Sequence, residues 1–258
     1  MKVRTDLHTH TNKSGHALST ALENIEWAKR NGMELITITE HGPAYEPDDK
    51  TSKDYFESLS YWISRSRNID GVTVLSGVEA NILNASGDLD MEKLDPRVFQ
   101  GLDIVIASCH SNIYSPRDDE SFKGMYAAVI SNPHVDILGH MCRNMSKKHI
   151  DEIIDLAKQK EKLIEFNELS LAHPSSELRD SLKLLILKCM DHKANVVVNT
   201  DAHFAPLVGK ANYITEFLSK IKYPEDLIIN RDQETLLKFL NERAGNKKIS
   251  LDECVYGE

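Results

Sequence analysis

The chain is 258 residues long, 41% hydrophobic and 28% charged, with a net charge of −9 at neutral pH. That composition is that of a soluble globular protein, and its acidic sign argues against nucleic acid as a partner, since phosphate backbones need a basic face. Single barrels reach about 250 residues, and no Gly/Ser/Pro-rich linker or charge block divides the sequence, so residues 1–258 are expected to form one domain, with the last ~15 as a tail.

Seven short segments rich in Val and Ile read as strands: 2–7, 35–39, 72–77, 103–107, 135–139, 163–166 and 195–199. They often carry continuous apolar runs, as strands buried on both faces do. Helical patterns alternate with them. Thr20-x-x-Glu23 reads as a capping box opening a helix that stops at Asn31-Gly32. Further helices are expected over 53–67 and 121–131. Ile150, Ile153, Ile154 and Ala157 share one helix face, and Leu178, Leu182, Leu185 and Cys189 share another. The last two helices are expected over 211–220 and 232–242. Alternating strands and helices imply a parallel sheet covered by helices. Seven units are one short of the standard closed barrel, so we expect an α/β protein built as a distorted (βα)7 TIM-like barrel.

Asp6-Leu7-His8-Thr9-His10 places two imidazoles at i and i+2, which share one side of an extended strand and can grip one metal ion. Other ligand-type residues repeat this setting at the C-terminal ends of the expected strands, where parallel barrels place their chemistry. His8, His10 and His16 follow the first strand, His41 the second and Glu79 the third. His110 follows the fourth, His140 the fifth, and Asp201 with His203 the seventh. A catalytic zinc takes about three protein ligands, so nine candidates suit two or three metals. Imidazoles with carboxylates and no thiolate favour Zn2+, Mn2+ or Fe2+.

In this series the sequence resembles the PHP (polymerase and histidinol phosphatase) superfamily, specifically its YcdX-like bacterial phosphatases. The motifs that carry the resemblance are Asp6-Leu-His8-Thr-His10-Thr, Ser14-x-His16-Ala, Ile38-Thr-Glu40-His41-Gly-Pro, Gly77-Val-Glu79-Ala-Asn-Ile, Ala107-Ser-Cys-His110, Gly139-His140 and Thr200-Asp201-Ala-His203. The resemblance implies a distorted (βα)7 barrel carrying three metals. His8, His10, Glu79 and Asp201 would hold the first. Glu79 would bridge to the second, shared with His110 and His140, and His16, His41 and His203 would hold the third. Two positions depart from the family pattern. Glu40 stands where relatives carry Asp, and His140 is followed by Met141-Cys142-Arg143 instead of Pro-Gly.

The expected activity is hydrolysis of small-molecule phosphomonoesters by metal-activated hydroxide, with a small phosphorylated metabolite as substrate. Arg143 and Arg117, in strand-end loops, are candidates to clamp the phosphate. Glu40 and Arg143 are candidate catalytic groups, and the proton donor to the leaving group is not identified. Histidinol-phosphate hydrolysis and phosphodiester hydrolysis are alternatives within the superfamily. An amidohydrolase would need a metal-bridging lysine where this chain has Cys109-His110.

The remaining histidines read as structural or solvated: His134 precedes a strand, and His149 and His192 fall on helices. His173, after the sixth strand, is a weaker candidate for substrate contact or for the acid. Cys109 reads as a core thiol and Cys142 as a thiol near the metals. The four cysteines (Cys109, Cys142, Cys189, Cys254) form no C-x-x-C pair, so we expect reduced thiols in a cytoplasmic protein. No apolar run approaches the roughly 20 residues that span a bilayer, and the N-terminus lacks a signal peptide's apolar segment. Oligomeric state leaves no heptad or exposed-strand signal.

Overall fold

The strands are β1 (Thr5–Thr9), β2 (Leu35–His41), β3 (Asn68–Ile69), β4 (Val72–Asn81), β5 (Ile104–Ser108), β6 (Ile137–Gly139), β7 (Leu163–Asn167) and β8 (Val196–Asn199). The helices are α1 (Ala21–Arg30), α2 (Lys53–Arg65), α3 (Pro96–Gly101), α4 (Asp119–Ser131), α5 (Ile150–Gln159), α6 (Glu168–Ala172), α7 (Ser176–His192), α8 (Asn212–Lys220) and α9 (Gln233–Glu242). This computed structural model describes residues 1–45, 52–93, 96–243 and 249–251. The tail expected over the last ~15 residues falls mostly outside them.

Seven strands pair in parallel in the order β1-β2-β4-β5-β6-β7-β8, and β3 adds two antiparallel residues to β4. Every residue of these seven strands is buried. Their continuous apolar runs reflect that, because helices cover the outer face and the barrel interior fills the inner one. The fold is thus the expected seven-unit distorted barrel. Its helices begin where the caps direct: Thr20 accepts from Glu23 N and Glu23 closes the capping box. The expected helix faces of α5 and α7 are buried, apart from the half-buried Leu178.

Parallel register sorts the inward positions into two layers. Leu7, Leu35, Leu75, Ile104, Ile106, Ile137, Leu163 and Val197 form an apolar lower layer, closed from beneath by Leu236 and Leu240 of α9. Further along the same strand faces come His41, Glu79, Asn81, Ser108, Gly139, Glu165, Asn167 and Asn199. The interior therefore turns from apolar to polar toward the C-terminal ends of the strands. Gly139 is required by this packing, since a Cβ there would lie 2.2 Å from Ser108 Oγ.

β1 departs from regular pairing in a way that matters for the site. Thr5 and Asp6 oppose Leu35 and Ile36, but Thr9 opposes Ile38, so β1 carries one extra residue between Asp6 and Thr9. Such a bulge reverses the phase of alternation. Leu7 can then join the lower apolar layer while His8 and His10, the next residues but of opposite parity, also face inward.

Among the described residues no ladder joins β8 to β1, and beyond β8 a single bridge pairs Thr9 with Ala202. Asn230 fills the seam. Its side chain accepts from Val198 N (2.9 Å) and donates to Val198 O (2.7 Å) and Thr5 O (3.1 Å), and its own carbonyl accepts from Thr5 Oγ1 (2.7 Å). One amide side chain thus substitutes for part of a ladder.

Some details differ from expectation. β1 starts at Thr5, and β4 runs past Gly77 to Asn81, so Glu79 lies within the strand and not after it. α3, α6 and β3 have no periodic signal long enough to announce them.

Candidate metal centre

Eight of the nine expected ligands converge through close contacts on Glu79 or Asp201. Glu79 is fully buried: its Oε2 lies 2.7 Å from His41 Nδ1 and 3.3 Å from His8 Nε2, and its Oε1 2.8 Å from His140 Nε2 and 3.4 Å from His110 Nε2. Asp201 Oδ1 lies 3.2 Å from His10 Nε2, 3.6 Å from His8 Nε2 and 3.6 Å from His203 Nδ1. The ninth, His16, is exposed and reaches the group by stacking, its ring 4.5 Å from His203 and 5.1 Å from His41.

Three subsets hold one ligand atom per residue within 4.8 Å of one another: His8, His10 and Asp201; His41, Glu79 and His110; and His10, His41 and His203. Nε2 of His8, His10 and His203, together with Glu79 Oε2, are buried without a hydrogen bond. Such atoms are costly in a protein interior unless something partners them. His140 Nε2 hydrogen-bonds Glu79 Oε1 (2.8 Å), but the unpartnered nitrogens and Glu79 Oε2, this close to one another, fit a divalent cation between them.

The other nitrogen of several rings is held from behind, which selects the atom presented to the centre. His8 Nδ1 bonds Glu165 Oε1 (2.7 Å), His10 Nδ1 bonds Ser14 Oγ (3.1 Å), His110 Nδ1 bonds Asn81 Oδ1 (2.8 Å), and His203 Nδ1 bonds Asp201 O (2.9 Å). Glu40 belongs to this outer layer. Its carboxylate accepts from Thr11 N (3.1 Å) and from Ser14 Oγ (2.5 Å), so it positions His10 through Ser14. Burial pushes the Glu40 carboxyl up, against these donors.

Glu165 was not a sequence candidate. It is fully buried on β7 and accepts from His140 N (2.8 Å), Asn199 Nδ2 (3.0 Å) and Asn167 Nδ2 (3.2 Å) besides bonding His8. Its signal was a charged residue in the middle of an otherwise apolar strand. Tyr45, also missed, stacks on His41 with ring centroids 3.8 Å apart.

Burial alone would raise the Glu79 carboxyl, but the imidazoles of His8, His110 and His41 outweigh it and hold it well below the usual range. Burial, then the Arg143 charge, lowers His140 to about 4, so that ring is neutral and a ligand-competent base at neutral pH. Two site residues have left-handed backbone, His140 (φ 22°) and Asp201 (φ 56°). Strain of this kind persists where the surroundings over-determine it, as at binding sites.

Arg143 reaches the centre: its Nη2 donates to Asp201 Oδ2 (3.0 Å) and its side chain stays 31% exposed. Arg117 does not come to the cluster through any hydrogen bond or ion pair among the described residues. It is exposed on the bend before α4, where its charge adds to the Ser121 amide in holding Asp118's carboxyl low. Burial pushes the thiols of Cys109 and Cys142 up to about 11. His134 stacks on Phe99, while His149 and His192 bond surface carboxylates.

Fold and cluster together define a class, a parallel-barrel enzyme with an imidazole–carboxylate centre at the C-terminal ends of its strands. Within that class the chain belongs to the PHP domain family, whose model matches residues 6–171. A probable phosphatase of Clostridium acetobutylicum is 34% identical over 252 residues, covering 98% of this chain and 100% of that one. A probable phosphatase of Caldanaerobacter subterraneus is 35% identical over 247 residues, covering 94% of each. Among solved structures, histidinol phosphate phosphatase of Lactococcus lactis, complexed with zinc, L-histidinol and phosphate, superposes with a TM-score of 0.62 at 17% identity. It covers 87% of this chain and 95% of that one. The chain is a hydrolase of this family.

Proposed function

We propose that the chain hydrolyses small-molecule phosphomonoesters at a centre of three divalent metal ions. His8, His10, Glu79 and Asp201 hold the first, Glu79, His110 and His140 the second, and His16, His41 and His203 the third. The observation that carries this reading is the set of buried nitrogens and Glu79 Oε2 that converge without hydrogen bonds. The names of relatives at 34 and 35% identity support the phosphate chemistry. The nitrogen-rich donor set favours Zn2+, with Mn2+ or Fe2+ as alternatives. When bound, such ions supply Lewis acidity toward a phosphoryl oxygen and lower the pKa of water.

The chain's own residues do the rest. Three divalent ions would outweigh the carboxylates of Glu79, Asp201 and Glu165, so the pocket selects a dianion inside an acidic protein. Arg143 stands beside Asp201 with its guanidinium partly in solvent, placed to take a phosphate oxygen. The buried thiols of Cys109 and Cys142 stay protonated near pH 7, which favours direct hydrolysis over a thiol-linked intermediate. The same reading takes residues 1–258 as one cytoplasmic domain. In keeping with reduced thiols, the described cysteines Cys109, Cys142 and Cys189 are free.

Two measurements test this. Elemental analysis of the purified protein should find two to three equivalents of transition metal, and one or none overturns the trinuclear assignment. A screen of sugar phosphates, nucleotides, amino-alcohol phosphates, aryl phosphates, phosphodiesters, amides and lactones should give turnover on monoesters. Hydrolysis of amides or lactones alone overturns the phosphatase reading. His8→Ala and Asp201→Ala should abolish turnover with an unchanged circular dichroism spectrum.

A further inference from the structure

β7 ends at Asn167 and the chain turns at once into the short helix α6, whose first turn Asn167 caps by accepting from Ser170 N (3.0 Å). Glu168 pins α6 to the start of α8 by accepting from Tyr213 N (2.8 Å) and Ile214 N (3.0 Å). With Glu168 turned to α8, Leu171 packs into the core and the other two apolar residues that follow are left at the surface. Leu169 is 37% exposed and Ala172 is exposed. With Pro174 and Leu178 they wall an open groove of about 490 Å3, which Arg143 and His173 also line. The volume lies within the range of roughly 300–1,000 Å3 typical of small-molecule sites.

Arg143 joins this groove to the metal centre, because the same guanidinium donates to Asp201. The two compartments have opposite chemistry. Four apolar side chains cannot compensate a dianion, whereas the imidazole–carboxylate centre beyond Arg143 with its metals can. Inside the groove the polar offering is small: Ser170 also lines it, but is buried and donates its hydroxyl to Asn167 Oδ1 (3.1 Å). His173 Nδ1 accepts from Ser175 N (3.1 Å), so its proton sits on Nε2 and the ring presents one donor. A site built this way fits a molecule with a charged end and a mostly apolar end.

Resting on the phosphatase reading above, we infer that this groove receives the leaving group of the substrate, and that the preferred substrates are phosphomonoesters of apolar, aromatic-sized alcohols. A sugar or polyol would leave its hydroxyls unpaired against Leu169, Pro174 and Leu178, while an aryl group buries apolar surface there.

The test compares two non-hydrolysable ligands, phenylphosphonate and methylphosphonate, by calorimetry on the zinc-loaded protein. Phenylphosphonate should bind about tenfold or more tightly, the scale of discrimination that an apolar pocket gives. Leu169→Asp, which puts a charge on the wall, and Ala172→Trp, which fills the groove, should each bring the ratio of the two Kd values close to one. Equal affinities in the unaltered protein, or a preference that survives both substitutions, overturn the inference and leave the phosphatase reading standing. Turnover of phenyl phosphate and glycerol phosphate reports on that reading separately. No hydrolysis of either, nor of any monoester in the wider screen, overturns it, and the leaving-group role with it.

Discussion

Glu165 shows how one buried carboxylate organises several ligands at once. It holds His8 Nδ1, and it is itself held by the His140 amide and by Asn199, so it ties the presentation of two candidate ligand histidines to one side chain. Outer partners of this kind typically contribute about 10–100-fold in metal affinity or activity. Glu165→Gln, nearly the same in shape, should therefore weaken metal binding by about that factor in a competition titration against a chelator, with the fold retained. Unchanged metal affinity would reduce Glu165 to a structural residue. The histidines that converge on Glu79 and Asp201 were legible in the sequence as candidates because imidazoles recur at strand ends and few other functions place them so. Glu165 was not a candidate, because a single acid within a strand has many readings until the fold brings its carboxylate to His8 Nδ1.

At the scale of elements, the seven parallel strands followed from apolar runs and their alternation with helical periodicity. Two features did not. The bulge in β1 decides whether His8 and His10 face the cluster, yet it is a property of the pairing between β1 and β2 and leaves no composition signal. The β8–β1 seam is equally silent, since it depends on Asn230, which lies outside both strands. Asn230 is fully buried and partners Val198 N and O and Thr5 O. Each buried backbone group left without a partner costs about 1–3 kcal/mol. Asn230→Ala should accordingly lower stability by about 3 kcal/mol or more in urea unfolding and speed amide exchange at Val198. A neutral result would mean that the seam is closed by other contacts.

Across the whole molecule, chemistry and stability sit at opposite ends of the barrel. The C-terminal ends of the strands hold the strained His140 and Asp201, whereas the N-terminal ends are locked by α9 and a buried ionic cluster. Arg243, just after α9, pairs with Asp136 at the start of β6, and Lys162, preceding β7, donates to Asn132 O (2.9 Å) and Val135 O (2.6 Å). Removing one member of a buried pair typically costs about 3–5 kcal/mol, so Arg243→Met should destabilise the fold by that order while leaving metal content unchanged. The cluster also carries a pH signature. Burial, and then the Arg243 charge, lowers the Lys162 ammonium from 10.5 to about 8 in the folded protein. Between those values the unfolded chain binds more protons at this site than the folded one, so the contribution of Lys162 to stability rises as pH increases from about 8 to 10.5. In Arg243→Met the cationic neighbour is gone and Asp136 lacks its partner, which moves the Lys162 pKa back up and flattens that rise. Urea midpoints measured from pH 7.5 to 10 for both proteins should therefore diverge with increasing pH. Parallel curves would show that Arg243 acts through packing against α9 and not through its charge.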